Sequence, residues 1–369
     1  MSVTIPAQLP SSAAAAAFSP SWLARFRGEL PGSLRRSAPI LSLIAVYFTI
    51  GMIVADIADI GGITSVFLYV PLYVVLVPNM TVYLLICNVI RVIAAERPKR
   101  PLVRLKQEFW AVLATPQRLA SALPILLFLP LFGSTFTMVK STIPTLNPYG
   151  WDQTFEQWDR WLLGGAAPWE LLHPLLGHPW ITAAISWVYN LWFPMLAFMM
   201  TWQAFAQGNP RLRAQYFYAT FLTWILLGNI AAIFLSSVGP CYFGRVVGGV
   251  DPYGPLMAYL READQHMTVM SLWAQDMLWA AYQQNAATLG SGISAMPSLH
   301  VAMALIFVLV GWRSSRLLGL FFAGFFLVIA IGSIHLGWHY AVDGLAAILG
   351  VLAIWFASGW LARLTIRTA

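Results

Sequence analysis

An all-α, polytopic membrane helical bundle of about eight transmembrane helices is the fold class the sequence predicts, and three observations carry it. Hydrophobic residues make up 59% of the 369 residues and charged residues 9%, against about 45–50% and about 25% in typical soluble domains. Apolar runs of about 20 residues, the length that crosses about 30 Å of hydrocarbon, recur along the chain. Of the 21 basic residues, only Lys140, Arg160, Arg245 and Arg261 fall on one side of the bundle those runs define, the asymmetry of a positive-inside topology. The composition excludes disorder, a collagenous fold and a disulfide scaffold: there are two cysteines, and Cys87 lies inside an apolar run. The net charge of +7 follows from the sidedness and is no nucleic-acid signal.

The chain opens on about 20 residues rich in Ala, Ser and Pro. The run Ala13–Phe18 is too short for a signal-peptide core, and no basic segment precedes it. Residues 1–37 are expected to form a disordered, basic cytoplasmic tail. Spans are expected at 38–58, 63–91, 120–140, 180–204, 213–238, 297–312, 317–335 and 339–361. The sixth and seventh are short and joined by the tight linker Trp312-Arg313-Ser314-Ser315-Arg316. The first two spans and their basic loop form an N-terminal addition over 38–119, and the other six a transmembrane domain over 120–362. The 92–119 loop, with Arg97-Pro98-Lys99-Arg100-Pro101, reads as a topology anchor on anionic lipid.

Acidic residues run opposite to the basic ones. Glu29, Glu96 and Glu108 are inside, and the other 11 of 14 lie outside or at the outer rim. An even number of spans places both termini in the cytoplasm. Two outer loops are long enough to carry function. In 141–179, the positions Phe155, Trp158, Trp161 and Leu162 fit one helical face, which predicts an amphipathic helix on the outer leaflet. The loop 239–296 opens with Gly239-Pro240-Cys241, continues through a helical stretch at about 255–288 and ends in Gly290-Ser291-Gly292.

The six histidines, His173, His178, His266, His300, His335 and His339, all fall outside the spans or at their outer ends. Ionisable groups there are candidates for function. Pro297-Ser298-Leu299-His300 opens the sixth span. Its free N–H groups and helix dipole favour an anion, with His300 on the rim as a proton donor; the alternative is an ordinary capped helix start. His339 and Asp343, at the opening of the eighth span, are four apart and share a helical face. The carboxylate can accept one imidazole N–H and leave the other nitrogen free as a nucleophile; the alternative is a structural His–Asp bond. A metal stripe of His335, His339 and Asp343 is the rival reading, weakened by Gly337 between the histidines. The sixth and eighth spans both run inward, so His300 and His339 lie at one depth. His339 then attacks phosphorus, His300 protonates the leaving oxygen and Asp343 stabilises the imidazolium, with no metal and no cofactor.

At these residues the chain resembles the type 2 phosphatidic acid phosphatase superfamily. The pattern of that superfamily is Pro-Ser-Gly-His, then Ser-Arg, five residues, His, three residues and Asp. Pro297-Ser298-Leu299-His300 matches the first part, and His339 and Asp343 keep the spacing of the second. Gly332-Ser333 stands where the pattern has Ser-Arg, so the phosphate-binding Arg is absent. Met-Pro-Ser-Leu-His with a later His-Tyr-x-x-Asp is more similar to the inositol phosphorylceramide synthase branch, in which a membrane enzyme moves a phospho-headgroup between lipids. Lys140-Ser141-Thr142-Ile143-Pro144, Trp151-Asp152 with Asp159-Arg160, and Gly239-Pro240 look like that branch too. The resemblance covers roughly 120–360 and implies a six-helix catalytic core. The superfamily's Lys-x6-Arg-Pro motif is not found cleanly. Arg91 to Arg97-Pro98 is one residue short and on the cytoplasmic side.

A phosphate monoester carries about −1.5 to −2 charges, so a cation is needed. Lys140 and Arg245 are the outer candidates; snorkelling and a solvated loop are their plain alternatives. Ser298, Pro297, His335 and Tyr340 join them as candidate phosphate or substrate contacts. Tyr189, Asn190 and Asn229 either line a lipid path or make interhelical hydrogen bonds. The function expected is a phosphotransferase on lipid-linked phosphates at the outer leaflet of a bacterial inner membrane, working through phosphohistidine in sphingolipid or phospholipid metabolism. A lipid phosphatase acting on phosphatidic acid or a polyprenyl phosphate is the alternative. A transporter or lipid-binding protein is the third reading, and it lacks the expected internal symmetry. The partners are lipids within the bilayer.

Overall fold

Short polar residues and prolines set the helix starts. The computed structural model describes residues 20–60, 65–96, 100, 103–104, 115–284, 286 and 288–366. In it Thr115, Asn209, Ser298 and Ser315 each accept, through the side chain, the backbone N–H three residues on. Such a cap contributes about 1 kcal/mol. Pro116, Pro168, Pro179 and Pro210 occupy the first turn of their helices, where a missing N–H costs nothing.

The helices used below are α1 (Pro20–Ile57), α2 (Val70–Glu96), α3 (Pro116–Ser141), α4 (Asp152–Leu162), α5 (Pro168–Leu176), α6 (Pro179–Asn190), α7 (Trp192–Phe205), α8 (Pro210–Ile225), α9 (Gly254–His266), α10 (Met270–Gln283), α11 (Leu299–Ser314), α12 (Arg316–His335) and α13 (Ala341–Thr365). No strand occurs among the described residues. Among the described residues, seven spans are long and apolar enough to cross a membrane: α1, α2, α3, the α6–α7 pair, α8 with its extension, α12 and α13. The apolar α11, at 16 residues, is shorter. It is separated from α12 by Ser315 alone, so the sixth and seventh expected spans are two helices.

The α6–α7 pair breaks at Leu191 because Pro194 has no N–H for the Asn190 carbonyl. α8 continues into a π turn over Leu226–Ala231, a feature that commonly marks functional sites. There the Tyr47 hydroxyl donates to Asn229, which makes Asn229 an interhelical partner.

α1 packs along α3, α7 against α2 and α3, and α8 against α11 and α13, while α11 also touches α12 and α13. Ile40, Ile44 and Tyr47 of α1 share one apolar core with Phe132, Phe221, Phe307 and Ala347. The N-terminal helices are therefore built into the same core as the rest.

Three boundaries differ from expectation. Residues 20–37, expected as part of a disordered tail, are helical and continuous with α1, with Ser33 and Ser37 buried. The second span starts at Val70 rather than at 63. The stretch at 255–288 is two helices, α9 and α10, with a break at 267–269. The expectations for residues 1–19 and for Arg97-Pro98-Lys99 and most of the basic loop lie outside the described residues.

Candidate active site

The end of α12 delivers the second histidine. Gly337, at φ +73°, turns the chain in a conformation open to glycine. The N–H groups of Trp338 and His339 both donate to the Ser333 carbonyl, at 3.0 and 2.9 Å. Ser333, standing where the resembled pattern has Arg, thus shapes the turn through its backbone.

His339 is fixed through Nδ1, which lies 2.9 Å from the Ala295 carbonyl and 3.2 Å from Asp343 Oδ2. Two acceptors at Nδ1 place the proton there and leave Nε2 as the free lone pair. Asp343 is fully buried. Its Oδ2 also accepts the Tyr340 N–H at 3.0 Å, and its backbone carbonyl accepts the Ser298 N–H at 3.2 Å. That last bond ties the start of α13 to the start of α11.

His300 occupies the first turn of α11, with its ring centre 6.0 Å from that of His339. One tetrahedral phosphoryl group can touch both imidazoles at that separation. The His300 ring is walled by Tyr189 at 4.7 Å, Trp192 at 4.3 Å and Phe193 at 5.9 Å, and Trp192 Nε1 donates to its backbone carbonyl at 3.0 Å. These three rings fall at i, i+3 and i+4 across the α6–α7 break, so the break aims one aromatic face at His300. Ser298 caps α11 by accepting the Val301 N–H. The N–H groups of Leu299 and His300 have no hydrogen-bond partner among the described residues. Two open N–H groups at a helix N-terminus form an anion seat.

Of the two candidate cations, the structure brings one to this place. Lys140 sits in the last turn of α3, with its backbone and Cγ about 3 Å from where a side chain at Gly292 would begin, three residues before Ala295. It makes no ion pair among the described residues. Arg245 lies elsewhere: it is 3.6 Å from Asp276 and stacks over Trp279 at 5.0 Å.

The other candidates separate in the same way. Tyr189 is in the site as the ring stacked on His300, and Pro297 is buried just before the Ser298 cap. Asn190 donates to Ser186 O within α6 at 2.8 Å and to Ser271 Oγ of α10 at 3.4 Å, and through the second bond it joins helices. His335 is not part of the site. It ends α12, and its Nε2 lies 2.9 Å from Thr182 Oγ1, in a group with Tyr259 and His173. The stripe His335, His339, Asp343 does not exist, because the Gly337 turn places His335 on a different helix from Asp343. Tyr340 turns its hydroxyl away, to Asp152 Oδ1 at 2.8 Å.

Sequence reasoning singled out Asp152 and Asp159 on α4 through the resemblance but gave neither a role. The helix forms where expected, but its aromatic residues divide. Trp158, Trp161 and Leu162 are exposed, whereas Phe155 is buried between Asp152 and Asp159, each 1% exposed. Asp152 accepts the N–H groups of Val238 and Gly239 as well as the Tyr340 hydroxyl. Asp159 accepts those of Ala341 at 2.8 Å and Val342 at 2.9 Å, capping α13. Burial pushes the Asp159 carboxyl up to about 6, against the pull of those two donors and with the charges of Asp343 and Glu156 adding to it. Burial also raises Asp152. The signal available in sequence was the i, i+3, i+7 spacing of Asp152, Phe155 and Asp159.

Residues 153–357, more than half of the chain, match the PAP2 superfamily. The chain belongs to the PAP2 superfamily. Neither a curated protein nor a solved structure matches it significantly. Membership of the PAP2 superfamily supports a lipid enzyme of phosphatase or phosphotransferase type. The paired histidines fall inside the matched PAP2 stretch, whereas Lys140 and Asp152 precede it.

Proposed function

We propose that this PAP2 protein is an integral membrane phosphotransferase that moves a phosphate or phospho-headgroup between lipids through a phosphohistidine, in the manner of inositol phosphorylceramide synthases. The observation that carries the reading is His339. Its Nδ1 is held by Ala295 O and Asp343, its Nε2 has no hydrogen-bond partner among the described residues, and its ring centre is 6.0 Å from that of His300. A nucleophile oriented by a carboxylate beside a second proton-transfer group is the arrangement covalent catalysis needs.

In the first half-reaction, Nε2 of His339 forms the bond to phosphorus and the bond to the leaving oxygen breaks. His300 donates its proton to that oxygen, while Asp343 and Ala295 hold the Nδ1–H of the imidazolium. In the second, an alcohol attacks the phosphohistidine and neutral His300 takes its proton, which returns both rings to their starting states. The N–H groups of Leu299 and His300, with Lys140, carry the charge of the phosphoryl oxygens. The positive-inside count supports placing this end of the bundle on the extracytoplasmic face, with both termini in the cytoplasm and a bacterial inner membrane as the setting.

The test is to incubate purified protein with labelled lipid phosphates and a lipid alcohol. A new phosphodiester lipid is the expected product. Free phosphate as the sole product would replace the transferase with a lipid phosphatase of the same superfamily. Turnover unaffected by His300→Ala and His339→Ala at equal protein levels would remove the enzyme reading.

A further inference from the structure

Asp152 and Asp159 stand seven residues apart on the inner face of α4, and their carboxylates accept N–H or O–H groups from two backbone segments. One is the loop at Val238 and Gly239, and the other is Tyr340 to Val342, directly after His339. Neither carboxylate has a cationic partner among the described residues; the neighbouring Arg160 is occupied by Glu156 and by the Gly165 carbonyl. Burying two carboxylates without a cation is costly, and a neutral Ser or Asn caps a helix about as well. Structural capping alone therefore does not account for the choice of residue. Charge-assisted hydrogen bonds are shorter and roughly twice as strong as neutral ones, and here they converge on the backbone that carries His339 and Asp343.

We propose that Asp159, backed by Asp152, is a positioning residue of this active site. In this view α4 is a clamp whose anionic grip on the N–H groups of Ala341 and Val342 holds Asp343 at His339 Nδ1. The role in turnover rests on the phosphohistidine reading, whereas the grip itself does not. Asp159 faces Asp343 from α13, Glu156 from its own helix and Tyr253 from the segment before α9. All of these are acidic or neutral, so nothing nearby replaces its charge. Protonation leaves one good acceptor oxygen for two N–H groups, and the grip slackens.

Two readouts test this on the full-length protein in detergent. The first is amide hydrogen exchange in peptides spanning 339–345, corrected for intrinsic rates. In the wild type, exchange at Ala341 and Val342 is expected to rise at least threefold as pH falls through about 6. In Asp159→Asn it is expected to be high and independent of pH. The second is turnover of para-nitrophenyl phosphate and of phosphatidic acid in mixed micelles that also hold a lipid alcohol as acceptor. Asp159→Asn is expected to lower kcat about 10–100-fold with KM within about threefold, and Asp159→Glu to recover part of the loss. Trp161→Ala, on the exposed face of the same helix, serves as the control for α4.

Exchange that is flat with pH in the wild type and unchanged in Asp159→Asn overturns the clamp. So does a wild-type kcat in that variant, or a loss carried wholly by KM. If Asp159→Asn fails to accumulate in membranes, the wild-type pH profile of exchange decides alone, a rise supporting the clamp and a flat profile ending it. If the wild type turns over neither probe, the proposed function fails on its own, and the exchange readout still decides whether α4 grips α13.

Discussion

Tyr189 lies flat against His300, with ring centres 4.7 Å and planes 19° apart. The hydroxyl of Tyr189 is buried with no partner among the described residues, so its contribution to the site is its ring face, which keeps His300 in one orientation toward His339. Tyr189→Phe preserves that face and removes a buried, unpaired hydroxyl. It is expected to keep activity within about threefold and to leave stability unchanged or raise it by about 1 kcal/mol. Tyr189→Ala is expected to lower kcat about 10–100-fold. Steady-state rates and thermal unfolding in detergent check both.

The two histidines should respond differently to the leaving group. His339→Ala removes the nucleophile and is expected to abolish phosphoenzyme at every substrate. His300→Ala removes a proton donor, a loss of about 10²–10⁴-fold with poor leaving groups that shrinks toward parity with a nitrophenolate. A leaving-group series with rapid acid quench separates the roles; equal losses across the series would exchange or remove them. Turnover by the wild type is expected to persist in excess chelator.

Lys140 and Arg245 offer a direct contrast. Lys140→Gln removes the cation that packs against Gly292, three residues before Ala295, and is expected to raise KM for an anionic lipid about 10-fold or more. Arg245→Gln breaks an exposed contact with Asp276 at 3.6 Å, of a kind worth about 0–1 kcal/mol, and is expected to change KM less than twofold. Initial rates against lipid mole fraction in mixed micelles read both.

Asp159 makes a prediction for stability as well. Its carboxyl binds a proton more tightly in the fold, at about 6, than at the ordinary 3.8. Between about pH 4 and 6 the folded chain holds that proton and the unfolded chain releases it. Stability from this group is therefore complete below about pH 4 and is lost as pH rises through about 6. The loss is at most about 3 kcal/mol at roughly 1.4 kcal/mol per unit. Asp159→Asn should lack this part of the wild type's pH dependence. Unfolding midpoints measured from pH 4 to 8 for both proteins check the sign.

What could be read from the chain beforehand followed from local spacing. His339 and Asp343 do meet, at 3.2 Å, but not through a shared helical face: α13 begins at Ala341, so His339 precedes it and Asp343 reaches back across the helix start to Tyr340 N–H and His339 Nδ1. His300 came from two spans running in the same direction, and Lys140 from charge on the sparsely basic side. The second acceptor on His339 was not legible, because the Ala295 carbonyl is a backbone group that no side-chain pattern announces. Asp159 was hidden for another reason. Its partners are 182 and 183 positions away, and the tryptophans beside it made α4 read as a surface helix. His335 misled because a spacing of four implies a shared face only where the helix is unbroken, and Gly337 breaks it.

The contact between Tyr69 and Gly290 carries the matter past the catalytic pair. Tyr69, just before α2, accepts the Gly290 N–H at 2.9 Å and bonds Thr137 at 2.9 Å. Five residues beyond Gly290 is Ala295, the carbonyl that steers His339. A shortened version trimmed to the stretch that similarity recognises would keep both imidazoles yet sever their mooring. The unit that folds around the site is therefore larger than the unit that sequence likeness outlines.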